Sequence, residues 1–463
     1  MVSCFATILL VVASVLASAT RATAESICTL SDSDACAVES FPSLSDDGSV
    51  LVYPGGNTRC AFDNYQDSVT GFTTNSTYFF QVFPNTNHDK SKLLIFFQGG
   101  GGCTDNKSCA FGLECSLAEN ALFTTVATVR GAGVIDRFML DNMFKEWNVV
   151  FVPYCTGDVH VGNRVLPAFE SGLEQQLGNP QCLGKDFPMY MNGYNNSKSA
   201  LDWALKNFPD VDNLVVGGAS AGSLGAQFFS ARIADMWDVD AKGTQFSVMA
   251  DSYVGVLPAK HPVPELVDYF GGCKSGLVFP SDIAAVCNTE NATTIDLVEA
   301  LIDDKPEAKW LFINSKGDTV QRYYYTLVDE GIEGYPFPNL MSEDDLYRNM
   351  SVILDAYQAK SPRITTFYVE GDHHVFLMDK NFTSYRSDEG LLLGDVINEW
   401  LASNSSSNHA GITITNTRAT IEAAPSTPGS STIRSESERT MTSTSTPDST
   451  GTPPKSGSLT VTC

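Results

Sequence analysis

The sequence predicts an α/β fold: a mainly parallel, buried sheet with helices on both faces, stapled by disulfides. Three observations predict it. Short apolar runs of strand length recur along the chain. Segments with helical spacing lie between them. One run ends in a glycine-flanked serine, just where a helical pattern begins. Runs that are apolar on both faces and alternate with helices belong to sheets covered on both sides.

The runs are "KLLIFF" at 92–97, "NVVFVPY" at 148–154, "NLVVGG" at 213–218, "FSVMAD" at 246–251, "WLFIN" at 310–314 and "ITTFYVE" at 364–370. Each is rich in β-branched or aromatic residues, which suit a strand. Among the helical segments, "SKSALDWALKNF" sets Ala200, Trp203, Ala204 and Phe208 on one face. "EDDLYRNMSVILDAYQAK" and "EGLLLGDVINEWLA" have similar spacing. Open parallel sheets hold their working groups at the carboxyl ends of strands, so the residues just past each run matter most.

The 463 residues allow a sizeable core. The N-terminus, "MVSCFATILLVVASVLASATRATAES", has an apolar run too short to span a bilayer, then small residues. That is the pattern of a secretory signal over 1–24, followed by a folded domain over 25–402. No later stretch has the length and apolarity of a membrane span. From 403 to 463 the chain turns Ser/Thr/Pro-rich with almost no aromatics, and a disordered tail is expected.

Between leader and tail lie ten cysteines: Cys28, Cys36, Cys60, Cys103, Cys109, Cys115, Cys155, Cys182, Cys273 and Cys287. An even number in an exported chain predicts five disulfides. No C-x2-C pair or Cys/His cluster occurs, so neither a metal nor a cofactor is expected. Asn-x-Ser/Thr sites at Asn75, Asn106, Asn195, Asn291, Asn349, Asn381 and Asn404 fit a secreted glycoprotein. With 29 basic against 54 acidic side chains the formal net charge is -25, which argues against a nucleic-acid partner.

After "NLVVGG" comes Ser220, in the spacing Gly218-x-Ser220-x-Gly222. This is the nucleophile elbow of α/β-hydrolases, a sharp strand-to-helix turn in which positions two before and two after must lack bulk. After "KLLIFFQ" comes "GGGGCTDNKSC", a loop of bare amides suited to a substrate oxyanion together with the N–H of Ala221. A short Cys103–Cys109 disulfide would pin it. After "WLFIN" stands Asp318, and after "ITTFYVE" stand His373 and His374. Chain order is then Ser, Asp, His, as this fold requires. The residues leave either histidine open as base, and Asp251, after "FSVMA", as a second candidate acid.

Together "LLIFFQGGGGC", "EWNVVFVPYCTGDVHVGN", "VVGGASAGSLGA", "NSKGDTVQ" and "EGDHHVFL" resemble the pectin acetylesterase/Notum family of secreted serine esterases. The likeness is fuller to microbial members. All four loop positions from Gly99 to Gly102 are glycine, where plant members and Notum carry a tryptophan. Val375 also follows His374, where plant members have cysteine. The resemblance implies Ser220 as nucleophile, Asp318 as acid, His374 as base, and Gly100, Gly101 and Ala221 as oxyanion donors. It implies a secreted or wall-associated esterase acting on acetylated pectin-like polysaccharide or another ester. A monomer is expected. Two alternatives stand beside that esterase. One is a Notum-like deacylase with an apolar pocket from 253–270. The other is a non-catalytic wall-associated glycoprotein on the same scaffold.

Overall fold

The computed structural model describes residues 25–403, except 42, 67–72, 110–130, 169–186, 262, 275 and 336. The leader, the tail beyond 403, and Cys115 and Cys182 lie outside the described residues. The described residues belong to one compact unit, 1–414.

The strands are β1 (Ile27–Thr29), β2 (Val50–Tyr53), β3 (Tyr65–Gln66), β4 (Thr73–Thr74), β5 (Phe80–Phe83), β6 (Lys92–Phe97), β7 (Asn148–Val152), β8 (Arg164–Leu166), β9 (Met189–Met191), β10 (Asn213–Ala219), β11 (Gln245–Asp251), β12 (Lys309–Ser315) and β13 (Ile364–Val369). Nine of them make one sheet in the order β1-β2-β5-β7-β6-β10-β11-β12-β13. The six strands from β7 to β13 in that order are parallel. They are the six runs legible in the sequence. β5 is antiparallel to both β2 and β7, so the sheet is mixed at one side. The pairs β3–β4 and β8–β9 form separate two-stranded ladders.

Both faces of the central strands are buried, as unbroken apolar runs require. Leu93, Ile95 and Phe97 of β6 point into one core, and Leu94 and Phe96 into the other. The first core is closed by the helices Gly193–Asn207, Ala221–Trp237, Thr294–Asp304 and Glu343–Lys360. Ala200, Trp203, Ala204 and Phe208 are all buried there, as their spacing predicts. The second core is closed by the helix Leu393–Ala402, through Leu393, Val396, Ile397 and Trp400, with the segments around Phe144 and Phe376. Each fully buried side chain of this size stabilises the fold by roughly 1.5–3 kcal/mol relative to exposure.

Among the described residues four disulfides are present: Cys28–Cys36, Cys60–Cys155, Cys103–Cys109 and Cys273–Cys287. Disulfides in this number suit an oxidising compartment. Among the described residues, no helix is long and apolar enough to cross a membrane.

Candidate active site

In-phase pairing brings the carboxyl ends of the strands to one level. Gly218 pairs with Phe97 on β6 and with Ala250 on β11, and Asp251 pairs with Ile313 on β12. The loops that leave these ends carry every residue singled out above. Gln98–Gly102 follows β6, Ser220 follows β10, Asp251 ends β11, Asp318 follows β12, and His373 and His374 follow β13.

Ser220 sits at φ 54°, ψ -123°, a conformation rarely adopted by a residue with a side chain. The turn explains its glycines. A Cβ on Gly218 would stand 2.0 Å from the Gly222 oxygen, and one on Gly222 would stand 2.1 Å from the Phe97 oxygen. The helix Ala221–Trp237 starts directly after the serine, so the Ala221 N–H is one of the orphan donors of a helix N-terminus.

Asp318 is fully buried and caps the helix Thr319–Glu330, its Oδ1 accepting from the Gln321 N–H at 2.9 Å. Its Oδ2 accepts from the Gln321 side-chain amide at 3.0 Å and from His374 Nδ1 at 2.8 Å. A carboxylate only accepts, so Nδ1 carries the hydrogen, and in the neutral tautomer Nε2 is the acceptor. The side chain of His374 is 11% exposed. An imidazole held this way can take a proton from a hydroxyl.

His373 turns elsewhere. Its Nε2 meets the Tyr385 hydroxyl at 2.9 Å and the Val375 oxygen at 3.1 Å, and its ring stacks on Tyr385. Of the two histidines, His374 is the one on a strand-end carboxylate.

Asp251, the second candidate acid, has other partners. It is fully buried, and its carboxylate accepts from two backbone N–H groups and a hydroxyl. Oδ2 accepts the N–H groups of Phe376 and Leu377 at 2.9 and 2.7 Å, and Oδ1 accepts from the Ser252 hydroxyl at 2.7 Å. The Ser252 Oγ in turn accepts the Val375 N–H at 2.9 Å. The Asp251 oxygen of the main chain accepts the Ser220 N–H at 2.8 Å. One residue thus ties the serine turn to the segment just past His374. Burial pushes the Asp251 carboxyl up to about 6, although its N–H donors and His374 favour the charged form.

The glycine loop lies on the serine turn. A Cβ on Gly99 would stand 2.6 Å from the Ala219 oxygen and 2.9 Å from the Ser220 Cβ. Gly101 has φ 73°, the left-handed region that glycine enters at no cost. The Cys103–Cys109 disulfide closes the loop's far side. Next to Gly102 stands the half-buried Tyr324, whose hydroxyl would lie 3.2 Å from a Cβ there; its ring meets the buried Tyr253 edge to face with centroids 5.8 Å apart.

Two further residues escaped the sequence reading. Asp158 and His160 are 0% and 1% exposed and sit in the run "TGDVH". His160 looks unremarkable in sequence because it does not follow a strand near the chain's end. The signal that marks it is its company: Gly162 and Gly193 both crowd Asp158, where a Cβ would stand 2.2 and 2.4 Å from a carboxylate oxygen.

A family described as Pectinacetylesterase has a model that matches residues 73–254. The matched stretch holds the glycine loop, the "TGDVH" run, Ser220 and Asp251, and ends before Asp318 and His374. No curated protein matches the chain. The family match supports ester hydrolysis in general.

Proposed function

We propose, from the pectinacetylesterase match over residues 73–254, that the protein is a secreted serine carboxylic ester hydrolase. The observation that carries the reading is the contact of 2.8 Å between His374 Nδ1 and Asp318 Oδ2, at the same end of the sheet as the strained Ser220 turn. In this reading Ser220 Oγ attacks the ester carbonyl while His374 Nε2 takes its proton. Asp318 holds the imidazole in the required tautomer and stabilises the imidazolium. The N–H groups of Gly100, Gly101 and Ala221 receive the oxyanion; each such donor lowers the barrier by roughly 3–4 kcal/mol. His374 then returns the proton to the leaving alcohol. Water attacks the acyl-enzyme, with His374 again as base, and releases the acid.

The substrate proposed is an acetyl ester of a pectin-like wall polysaccharide. Tyr324 supports a small acyl group, because its hydroxyl end, backed by the Tyr253 ring, fills space beside Gly102 that a long chain would need. Export is supported by the leader pattern and the disulfides. The glycosylation sites agree, since Asn75, Asn106, Asn291, Asn349 and Asn381 are exposed. Asn195 is half-buried and bonded to Asn192, and is the poorest acceptor among them.

The test compares acetate release from acetylated pectin with hydrolysis of a long-chain p-nitrophenyl ester, for wild type and Ser220→Ala. Acetate release is expected to dominate, and Ser220→Ala to lower it by at least about 10⁴-fold. A preference for the long chain would move the assignment to fatty-acyl removal. Equal rates for Ser220→Ala would leave a scaffold without serine catalysis.

A further inference from the structure

We propose that the turn Tyr154–His160 is the scaffold of the oxyanion loop, and that His160 is the positioning residue that sets the loop's distance from the serine helix. The inference rests on the ester-hydrolase reading of the site. It starts from a physical problem. Four consecutive glycines carry no side chain to hold their own conformation, and each costs more to order than any other residue. Beyond the close approach of Gly99 to the serine turn, Gly99–Gly102 is held by its ends.

At both ends the partner comes from this turn or the strand leading into it. Before the loop, the Gln98 N–H donates to the Val152 oxygen at 3.0 Å. Gln98 Oε1 accepts the Tyr154 N–H at 3.0 Å, and the Gln98 main-chain oxygen lies 2.8 Å from His160 Nε2. After the loop, the Cys103 N–H donates to the Gly157 oxygen at 2.8 Å. A carbonyl oxygen only accepts, so His160 holds its hydrogen on Nε2. Burial pulls the imidazolium down to about 4, so the ring is a neutral donor at neutral pH.

His160 also touches the other source of oxyanion donors. A Cβ on Gly225, in the helix that Ser220 and Ala221 begin, would stand 3.0 Å from His160 Cδ2. The ring packs edge-on against Phe97 at 5.0 Å and beside Tyr154 at 4.7 Å. It is therefore wedged between the loop that would supply the Gly100 and Gly101 amides and the helix that would supply Ala221. The turn is itself held rigid. Asp158 Oδ1 accepts from the Thr156 hydroxyl at 2.6 Å and the His160 N–H at 3.2 Å, and Oδ2 from the Gly193 N–H at 2.8 Å. Val159 and His160 both have positive φ, 45° and 69°, which persists only where surroundings over-determine the backbone.

An oxyanion hole stabilises the tetrahedral state and not the bound ester, so a misplaced loop lowers kcat and leaves KM alone. The experiment uses the full-length protein with p-nitrophenyl acetate as substrate. A trifluoromethyl ketone, which forms a tetrahedral adduct, serves as probe. His160→Phe keeps the ring and loses the donor; His160→Gln keeps a donor. For His160→Phe we expect kcat to fall about a hundredfold with KM within about twofold, and ketone affinity to fall with kcat. His160→Gln should recover about tenfold of the loss. A folded His160→Phe with wild-type kcat overturns the inference, as does a rise in KM alone or an equal loss in both variants. Should His160→Phe fail to fold, Gln98→Leu, which removes the acceptor for Tyr154, is read the same way; unchanged kcat overturns the inference. A wild type inert towards esters would fail the hydrolase reading, and this inference with it. An active wild type matched by His160→Phe would fail this inference alone.

Discussion

At the scale of single residues, the site depends on side chains that hold backbone as much as on those proposed to do chemistry. Asp251 is the clearest case. Its carboxylate accepts two N–H groups just beyond His374, and its carbonyl accepts the Ser220 N–H. The same stretch is gripped from outside, where the Val134 N–H donates to the Leu377 oxygen at 2.8 Å. Asp251→Asn keeps the volume but supplies only one acceptor oxygen where the carboxylate uses two, and it removes the charge. We expect kcat for p-nitrophenyl acetate to fall between about tenfold and a hundredfold with KM little changed, a 1 Å shift of a reacting group being enough. A variant with wild-type kcat would show that the base segment keeps its place without this carboxylate. Asp251 could be read from sequence as a strand-end acid, but not as a clamp. Its partners Phe376 and Leu377 are more than a hundred residues away, and a backbone N–H leaves no mark in a sequence.

At the scale of elements, the six central strands were legible because each is buried on both faces and so reads as an unbroken apolar run. β1, β2 and β5 were not. They are three or four residues long, and β2 and β5 pair antiparallel, so neither length nor a following helix gives them away. The turn after β7 was legible as a motif but not as a device, because its work is done by buried polar contacts. It carries a pH signature. The folded state holds His160 at about 4, whereas an unfolded histidine titrates near its usual 6.5. Between those values the unfolded chain binds a proton that the folded one refuses, so this residue's contribution to stability is lost as pH falls from 6.5 towards 4. Asp158 and Asp251, raised by burial to about 6, act in the opposite direction, since the folded chain holds their protons longer. Comparing wild type with His160→Gln cancels those two. We expect any stability advantage of wild type at pH 7, measured by urea unfolding with disulfides intact, to shrink by about 2–3 kcal/mol at pH 4.5. An advantage that is the same at both values would mean His160 is not held neutral by its surroundings.

At the scale of the whole molecule, charge bears on the choice of substrate. The chain carries a formal net charge of -25, and pectin is itself a polyanion. Long-range repulsion should slow their encounter at low ionic strength and be screened as the Debye length shrinks from about 30 Å at 0.01 M salt to about 8 Å at 0.15 M. We therefore expect kcat/KM on acetylated pectin to rise severalfold over that range, while the rate on neutral p-nitrophenyl acetate stays level. A fall with salt would point to a cationic groove that steers the polymer in. The whole-molecule features read from sequence divide in two. The sheet and four of the expected disulfides stand in the described residues. Cys115, Cys182 and the fate of the leader and tail fall outside them.

The most direct measurement is to label the protein with a fluorophosphonate, digest it, and map the adduct by mass spectrometry while following residual esterase activity. A single adduct on Ser220, rising in step with the loss of activity and absent from protein unfolded beforehand, is the result expected of an activated serine. An adduct on another residue, or full hydrolysis by protein whose Ser220 is completely labelled, would contradict it.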